Sequence, residues 1–171
     1  MKSERSLIKK LKEHDEEAFD EVYQKYFRLV KHVAYQILPS DMIADDIVQE
    51  TFFKMYQNID SYQNDISFSA WLCTIAKNLA LNEKKKRSRM VSMPEYETED
   101  YSTTQENRFD QENLIRRIKE LLGEKDYDLF ILRMYYGLSY QEISDMTGET
   151  IAALTNRYHR AQKKVKRNII L

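Results

Sequence analysis

Between residues 150 and 171 the chain carries six lysines and arginines and no acid: Arg157, Arg160, Lys163, Lys164, Lys166 and Arg167. Thr155, Asn156 and His159 are set among them. Cations at this density suit phosphates, and short uncharged polar side chains reach base edges, so the mixture fits a helix laid on DNA. A basic, solvated helix in an ordinary helical hairpin is the bland alternative. A second set is Asn78, Asn82, Lys85 and Arg89, which step by 4, 3 and 4 residues, with Lys84, Lys86 and Arg87 adding to a positive run. On one helix these share a face, placing amides for base edges beside cations for a backbone. The third set is acidic: Asp45 with Gln49, and Asp46 with Glu50, are i, i+4 pairs within IADDIVQETFFKMY. They lie opposite Ile43 and Ile47 on a helix. Two adjacent acids could hold a cation or move a proton, but no further ligand accompanies them. A docking face for a basic partner, or a solvated face, is what they offer.

Helices must position all three sets. Residues 3–13 read as a short amphipathic helix, after which Asp15 predicts an N-cap followed by Glu16 and Glu17. Phe19, Val22, Tyr23, Tyr26, Phe27, Val30, Val33, Ala34 and Ile37 recur at three and four, predicting a long helix stopped by Pro39. Ser40 can cap the next, with Ile43, Ile47, Thr51 and Met55 in line and Phe52 beside them. A loop is expected over 59–66, and Ser67 can cap a third long helix with Phe68, Trp71, Leu72, Ile75, Ala76 and Leu79 inside. These three helices can share one core.

Periodicity is lost from 87 to about 110. Residues 88–112 hold 2 basic and 7 acidic residues and include Pro94, as expected of a flexible acidic linker, assigned to 91–109. Periodicity returns with Leu114, Ile118, Leu121 and Leu122, ended by Gly123. Tyr127, Phe130, Ile131, Met134 and Tyr135 predict the next helix, ended by Gly137. Ser139 and Glu142 fit a capping box, Tyr140, Ile143 and Met146 form one apolar side, and Gly148 falls where a tight turn is needed. Thr150 caps a last helix with Ile151, Leu154, Tyr158, Ala161 and Val165 inward. A short helix, a Gly turn with small Ser144 at the crossing, and a longer basic helix form the pattern of a helix-turn-helix.

The remaining composition excludes several classes. The 171 residues, with 27 Lys+Arg against 28 Asp+Glu, fit one average domain or two small ones. The near balance conceals an acidic middle and a basic tail, an asymmetry that points to a polyanionic partner. Three glycines and two prolines leave little room for hairpins. The lone Cys73 cannot form an intramolecular disulfide and has no His neighbour to make it a nucleophile. His14, His32 and His159 lie far apart, so no metal site is read. No apolar run approaches the roughly 18 residues of a membrane span, and no signal peptide or nucleotide cradle is legible. Neither a catalytic constellation nor a cofactor is expected, and the compartment read is the cytoplasm.

Together these units resemble an extracytoplasmic-function (group IV) sigma factor of bacterial RNA polymerase, in the sigma-70 family. EEAFDEVYQKYFRLVKHVAYQIL and DDIVQETFFKMYQNIDSY look like the start and the polymerase-docking helix of the sigma-2 domain. FSAWLCTIAKNLALNEKKKR looks like the segment that melts and reads the −10 element. LLGEKDYDLFILRMYYGLSYQEISDMTG with TNRYHRA looks like the sigma-4 domain, which reads the −35 element.

The resemblance implies an all-α fold of two helical bundles: a sigma-2-like domain at 1–90, the linker, and a sigma-4-like domain at 110–171 with a C-terminal helix-turn-helix. By position it implies that Asp45, Asp46, Gln49 and Glu50 meet the clamp helices of the largest catalytic subunit. It assigns Asn78, Asn82, Lys84, Lys85, Lys86 and Arg87 to the −10 element. It assigns Thr155, Asn156, Arg157, His159, Arg160, Lys163 and Lys164 to the −35 element. The implied partners are core RNA polymerase (clamp helices and flap), promoter DNA and an anti-sigma factor, without membrane insertion. One departure stands out: the recognition helix of the family often begins Gly-Thr-Val-Lys-Ser-Arg, and this chain has Ala152, Ala153, Leu154, Thr155, Asn156 and Arg157 there, preceded by Glu149. A helix-turn-helix regulator binding as a dimer, and a helical adaptor binding only protein, are the alternatives from other classes.

Overall fold

Local chemistry sets the helix ends. The Asp15 carboxylate accepts from the Ala18 N–H at 2.8 Å and starts helix α2, Glu16–Ile37. The chain leaves that helix at Leu38, and Ser40 caps α3, Asp41–Asn58. A 3-10 turn, Ile59–Ser61, follows within the expected loop. The Ser67 hydroxyl then accepts from the Ala70 N–H at 3.3 Å at the start of α4, Phe68–Met90. With the short α1, Glu4–Lys12, these elements make the first of two compact units. The computed structural model describes residues 4–90 and 107–170, and every regular element among them is helical.

α2, α3 and α4 pack against one another, with α1 laid on α2. Phe52, Phe68, Met55, Leu72, Val22, Val30 and Leu11 are fully buried there, and each large apolar side chain taken from water contributes about 1.5–3 kcal/mol. Thr51, buried on the core line of α3, donates its hydroxyl to the Ile47 carbonyl at 2.6 Å and so leaves no unmet polar group. Trp71 is half-buried, its ring 5.1 Å from Tyr62 and 5.7 Å from Phe68. Lys12 donates to the Tyr62 carbonyl at 2.7 Å, tying α1 to the segment that leads into α4.

The second unit contains α5, Asn107–Leu122; α6, Glu124–Met134; α7, Tyr140–Thr147; and α8, Ile151–Val165, which runs into a π-helical turn, Lys166–Ile170. The Ser139–Glu142 capping box forms in both directions, and Thr150 caps α8 through the Ala153 N–H. Gly148 closes α7 at φ 74°, a left-handed conformation that a side chain would disfavour, and the turn between α7 and α8 depends on it. Ile143, Leu154, Phe130, Leu132 and Leu138 are buried.

Four residues on the expected apolar lines of this unit lie outside its core: Met134 is 67% exposed, Tyr135 63%, Ile151 43% and Leu114 42%. α6 ends at Met134, and the chain turns back so that the Leu138 N–H meets the Leu132 carbonyl at 3.1 Å. Leu138, beyond this turn, is buried where Met134 is not. Ile151 stands in the first turn of α8, ahead of Leu154, which carries the burial. Of the expected linker, 91–106 lies outside the described residues; α4 continues to Met90 and α5 is already helical from Asn107.

Candidate nucleic-acid interface and docking face

All four residues of the acidic set are exposed on α3, with Ile43, Ala44, Ile47 and Val48 buried behind them. Their charges are not equivalent. Lys31 on α2 reaches Asp45 at 2.8 Å and Asp41 at 3.0 Å. The hydrogen bond to Asp45, opposed by some desolvation and helped by Asp41, holds the Lys31 ammonium above its ordinary range. Glu50 pairs with Lys54 at 3.4 Å. Asp46 makes no ion pair among the described residues, so its charge is offered whole. Beside it a groove of about 540 Å³ runs between α2 and α3, lined by Phe19, Tyr23, Phe52, Phe53, Tyr56 and Gln49 and edged by Glu16 and Asp20. Phe53 is 60% exposed. Sequence reasoning missed this groove, although Asp46, Gln49 and Phe53 step by three and four and so put a phenylalanine on the polar face.

On α4 the second set shares one solvent face: Asn78, Asn82, Lys85 and Arg89 are all exposed, as are Lys84, Lys86 and Arg87. Leu81 is exposed among the amides. Arg87 is clasped by Glu83 at 2.7 Å, which leaves the three lysines as the stronger cationic group. Phe68 is buried in the core and Trp71 is half-buried against it, so the face is built of amides and cations rather than rings.

On α8, Asn156, His159, Arg160, Lys163 and Lys164 are exposed. The first four surround a concave surface of about 740 Å³ that Gln162 and Lys166 complete, of which Gln162 was missed from sequence. Thr155 donates its hydroxyl to the Ile151 carbonyl at 2.8 Å, so that proton is spent within the helix. Arg157 faces the other way and is held by Asp126 and Glu149.

Behind α8 lies a cavity of about 240 Å³ lined by Asp128, Arg157, Leu129, Leu132, Ile143 and Leu154 among others. One buried carboxylate oxygen of Asp128 has no hydrogen-bond partner among the described residues. Burial raises the Asp128 carboxyl above its ordinary range, with Glu124 adding to the effect and Lys119 opposing it. The folded unit therefore binds this proton more readily than the unfolded chain. Its contribution to stability falls as pH rises from the ordinary carboxylate range through the raised folded value, and stays lost above it. Asp128→Asn is expected to remove that falling limb and to raise stability at neutral pH by about 1 kcal/mol, kept small because the group is half in solvent. Thermal unfolding across the acidic-to-neutral range checks this, and a neutral-pH Tm no higher than wild type would contradict it.

Among the described residues no helix is long and apolar enough to cross a membrane, and no cluster of His, Cys, Asp and Glu could hold a metal ion.

Residues 22–90 match the family model for Sigma-70 region 2, and residues 112–165 match that for Sigma-70, region 4. Along its length the chain is similar to the ECF RNA polymerase sigma factor SigW of Bacillus subtilis, 25% identical over 181 residues that cover 95% of this chain and 94% of SigW. It is also similar to the ECF RNA polymerase sigma-E factor of Escherichia coli, 27% identical over 177 residues, covering 95% and 92%. Its fold is similar to that of CnrH, solved in complex with the cytosolic domain of CnrY, at TM-score 0.60 and 20% identity over 95% of this chain and 94% of that one. A second solved likeness is the sigma factor RpoE in complex with the anti-sigma factor NepR from Bartonella quintana, at TM-score 0.56 and 20% identity, covering 87% and 94%.

Proposed function

The chain belongs to the sigma-70 family of bacterial RNA polymerase sigma factors, and from that premise we propose how its three polar faces divide the task of initiation. It is a sigma factor of the ECF type: it binds core RNA polymerase, directs it to a promoter and takes part in melting the duplex. In our reading residues 1–90 form the polymerase-docking and −10 domain, 91–109 the linker, and 110–171 the −35 domain. Asp45, Asp46, Gln49 and Glu50, with the Phe53 groove beside them, dock on the clamp helices of the largest subunit. The amides and lysines of α4 hold the −10 element, and the outer face of α8 reads the −35 element. An anti-sigma factor covering both domains is its regulator, the cytoplasm is its compartment, and it carries out no catalysis of its own.

The observation that supports this most is that the acidic set on α3, Asn78 on α4, and Asn156, His159, Arg160, Lys163 and Lys164 on α8 stand in solvent on helices whose opposite sides are buried. The docking part is tested by Asp46→Arg with Glu50→Arg. Placing two cations against a basic partner is expected to lower capture of core polymerase about tenfold or more, equivalent to about 1.4 kcal/mol. The circular dichroism spectrum and Tm should hardly change, because exposed carboxylates contribute about 0–1 kcal/mol each. A folded double variant captured as well as wild type removes α3 from the docking role.

A further inference from the structure

Arg157 stands on α8 between Asn156 and Arg160, both exposed, yet only 16% of its own side chain meets solvent. Its guanidinium uses all three nitrogens inward. Nε donates to Asp126 Oδ1 at 2.9 Å, Nη1 to Glu149 Oε2 at 2.5 Å, and Nη2 to the Lys125 carbonyl at 2.9 Å. Asp126 and Lys125 lie on α6, and Glu149 lies in the turn before α8. One cation therefore ties three elements, and the planar fork of an arginine suits three such acceptors where the point charge of a lysine would not.

Glu149 is fixed from its backbone as well. The Ser144 hydroxyl donates to the Glu149 carbonyl at 2.6 Å, and the Glu149 N–H donates to the Thr147 hydroxyl at 3.3 Å. With Arg157 on its carboxylate, the turn is held at both ends. Successive residues of a helix are rotated by about 100°. Turning Arg157 toward α6 thus decides that Asn156, His159, Arg160 and Lys163 face out together.

Electrostatics point the same way. Arg157 with Asp126 and Glu149 is a cluster of one cation and two anions, net negative, and it offers a phosphate no attraction. A phosphate would have to displace a carboxylate from a well-made pair and then meet that carboxylate's charge.

We infer that Arg157 is not a DNA contact but the positioning residue of the −35-reading helix, locking its rotation and its angle against α6 and the α7–α8 turn. This rests on α8 being the reader. It also gives Glu149 a role: the negative charge at the start of the helix is the anchor to which Arg157 is tied.

The test uses the full chain in holoenzyme on promoter DNA, with binding measured across a salt series and preferences read on a randomised −35 library. Arg157→Met should keep the wild-type slope of log affinity against log salt, since no phosphate contact is lost. It should lose −35 discrimination about fivefold or more, the lower end of what one base contact is worth. Asp126→Asn with Glu149→Gln frees the arginine and adds net positive charge, and it should lose discrimination to the same extent. Asn156→Ala with His159→Ala, which does not touch the cluster, reports on the reading face itself.

A slope that falls by about 0.9 in Arg157→Met, the loss of one phosphate contact, overturns the inference. So does a freed arginine that keeps or sharpens discrimination. That second variant decides the matter alone if Arg157→Met does not fold. Unchanged preferences in the Asn156, His159 variant would remove α8 as the reader and this inference with it. Either of the first two results with that variant altered removes the positioning role only.

Discussion

Alanine at both Asn78 and Asn82 is expected to leave core polymerase binding near normal and to reduce open-complex formation on a native duplex by about 10- to 100-fold. A melted strand must be held with its bases unstacked, and unstacking costs a few kcal/mol that contacts in the open state have to recover. The two amides stand on one exposed face of α4, one turn apart, with Lys84, Lys85 and Lys86 following. A good base contact is worth about 1–3 kcal/mol, and losing two at the lower end of that, about 2 kcal/mol, is about 30-fold, within the stated range. A promoter carrying a pre-melted −10 bubble should restore much of the opening while leaving the loss of sequence preference. Permanganate reactivity of unpaired thymines reports opening directly. A double variant that opens the native duplex as well as wild type would show that this face is not the −10 reader. The same experiment separates a sigma factor from a repressor or activator, which binds closed duplex and has no use for an unstacked strand.

The second large effect is expected at the far end of the chain. Lys163 and Lys164 are exposed on the last turns of α8 and make no ion pair among the described residues. If both hold phosphates, replacing them by alanine should weaken binding about equally on all sequences and lower the salt slope by about 1.8, two contacts' worth. Asn156→Ala with His159→Ala should do the opposite, changing which −35 bases are preferred by about 1–3 kcal/mol and leaving the slope nearly as it was. A randomised −35 library read with polymerase present gives both quantities. A slope unchanged by the loss of both lysines would place the phosphates elsewhere, with Arg160 and Lys166 as the remaining cations of that surface.

What could be read in the sequence was what is decided locally. Asp15, Ser40, Ser139 and Thr150 each satisfy N–H groups within three residues, so residue type and spacing were enough to place those helix starts. Met134 and Tyr135 were misread because a hydrophobic period says nothing about where the chain stops following it. The chain turns after Met134, and the next buried side chain is Leu138, beyond the turn. The pairing of Asp45 with Lys31 joins two helices across fourteen positions, and that of Arg157 with Asp126 joins residues 31 apart. Charge and helical phase put Arg157 on the outer face with its neighbours; only the fold shows three acceptors waiting on the inner one. The groove beside Asp46 was hidden differently. Phe53 follows the buried Phe52, and two adjacent phenylalanines read as one apolar signal unless each is assigned its own side of the helix.

Helix α4 has a mechanical consequence. Its buried residues end at Ala80, and the ten residues from there to Met90 extend about 15 Å beyond the bundle's grip. It is a cantilever, with its root clamped in the bundle and, under the proposed function, its span loaded by nucleic acid. Along that span the helix is kept by its own backbone ladder, the Glu83–Arg87 clasp and the intrinsic preference of each residue, and such terms amount to tenths of a kcal/mol apiece. Ser88, whose hydroxyl turns back to the Lys85 carbonyl at 2.9 Å, is a soft point on it. The stiffness of the span is therefore a property that sequence can tune without altering the exposed amides and lysines. A better helix former at Ser88 stiffens the beam and lowers the entropy lost on loading, whereas a glycine there lets it bend.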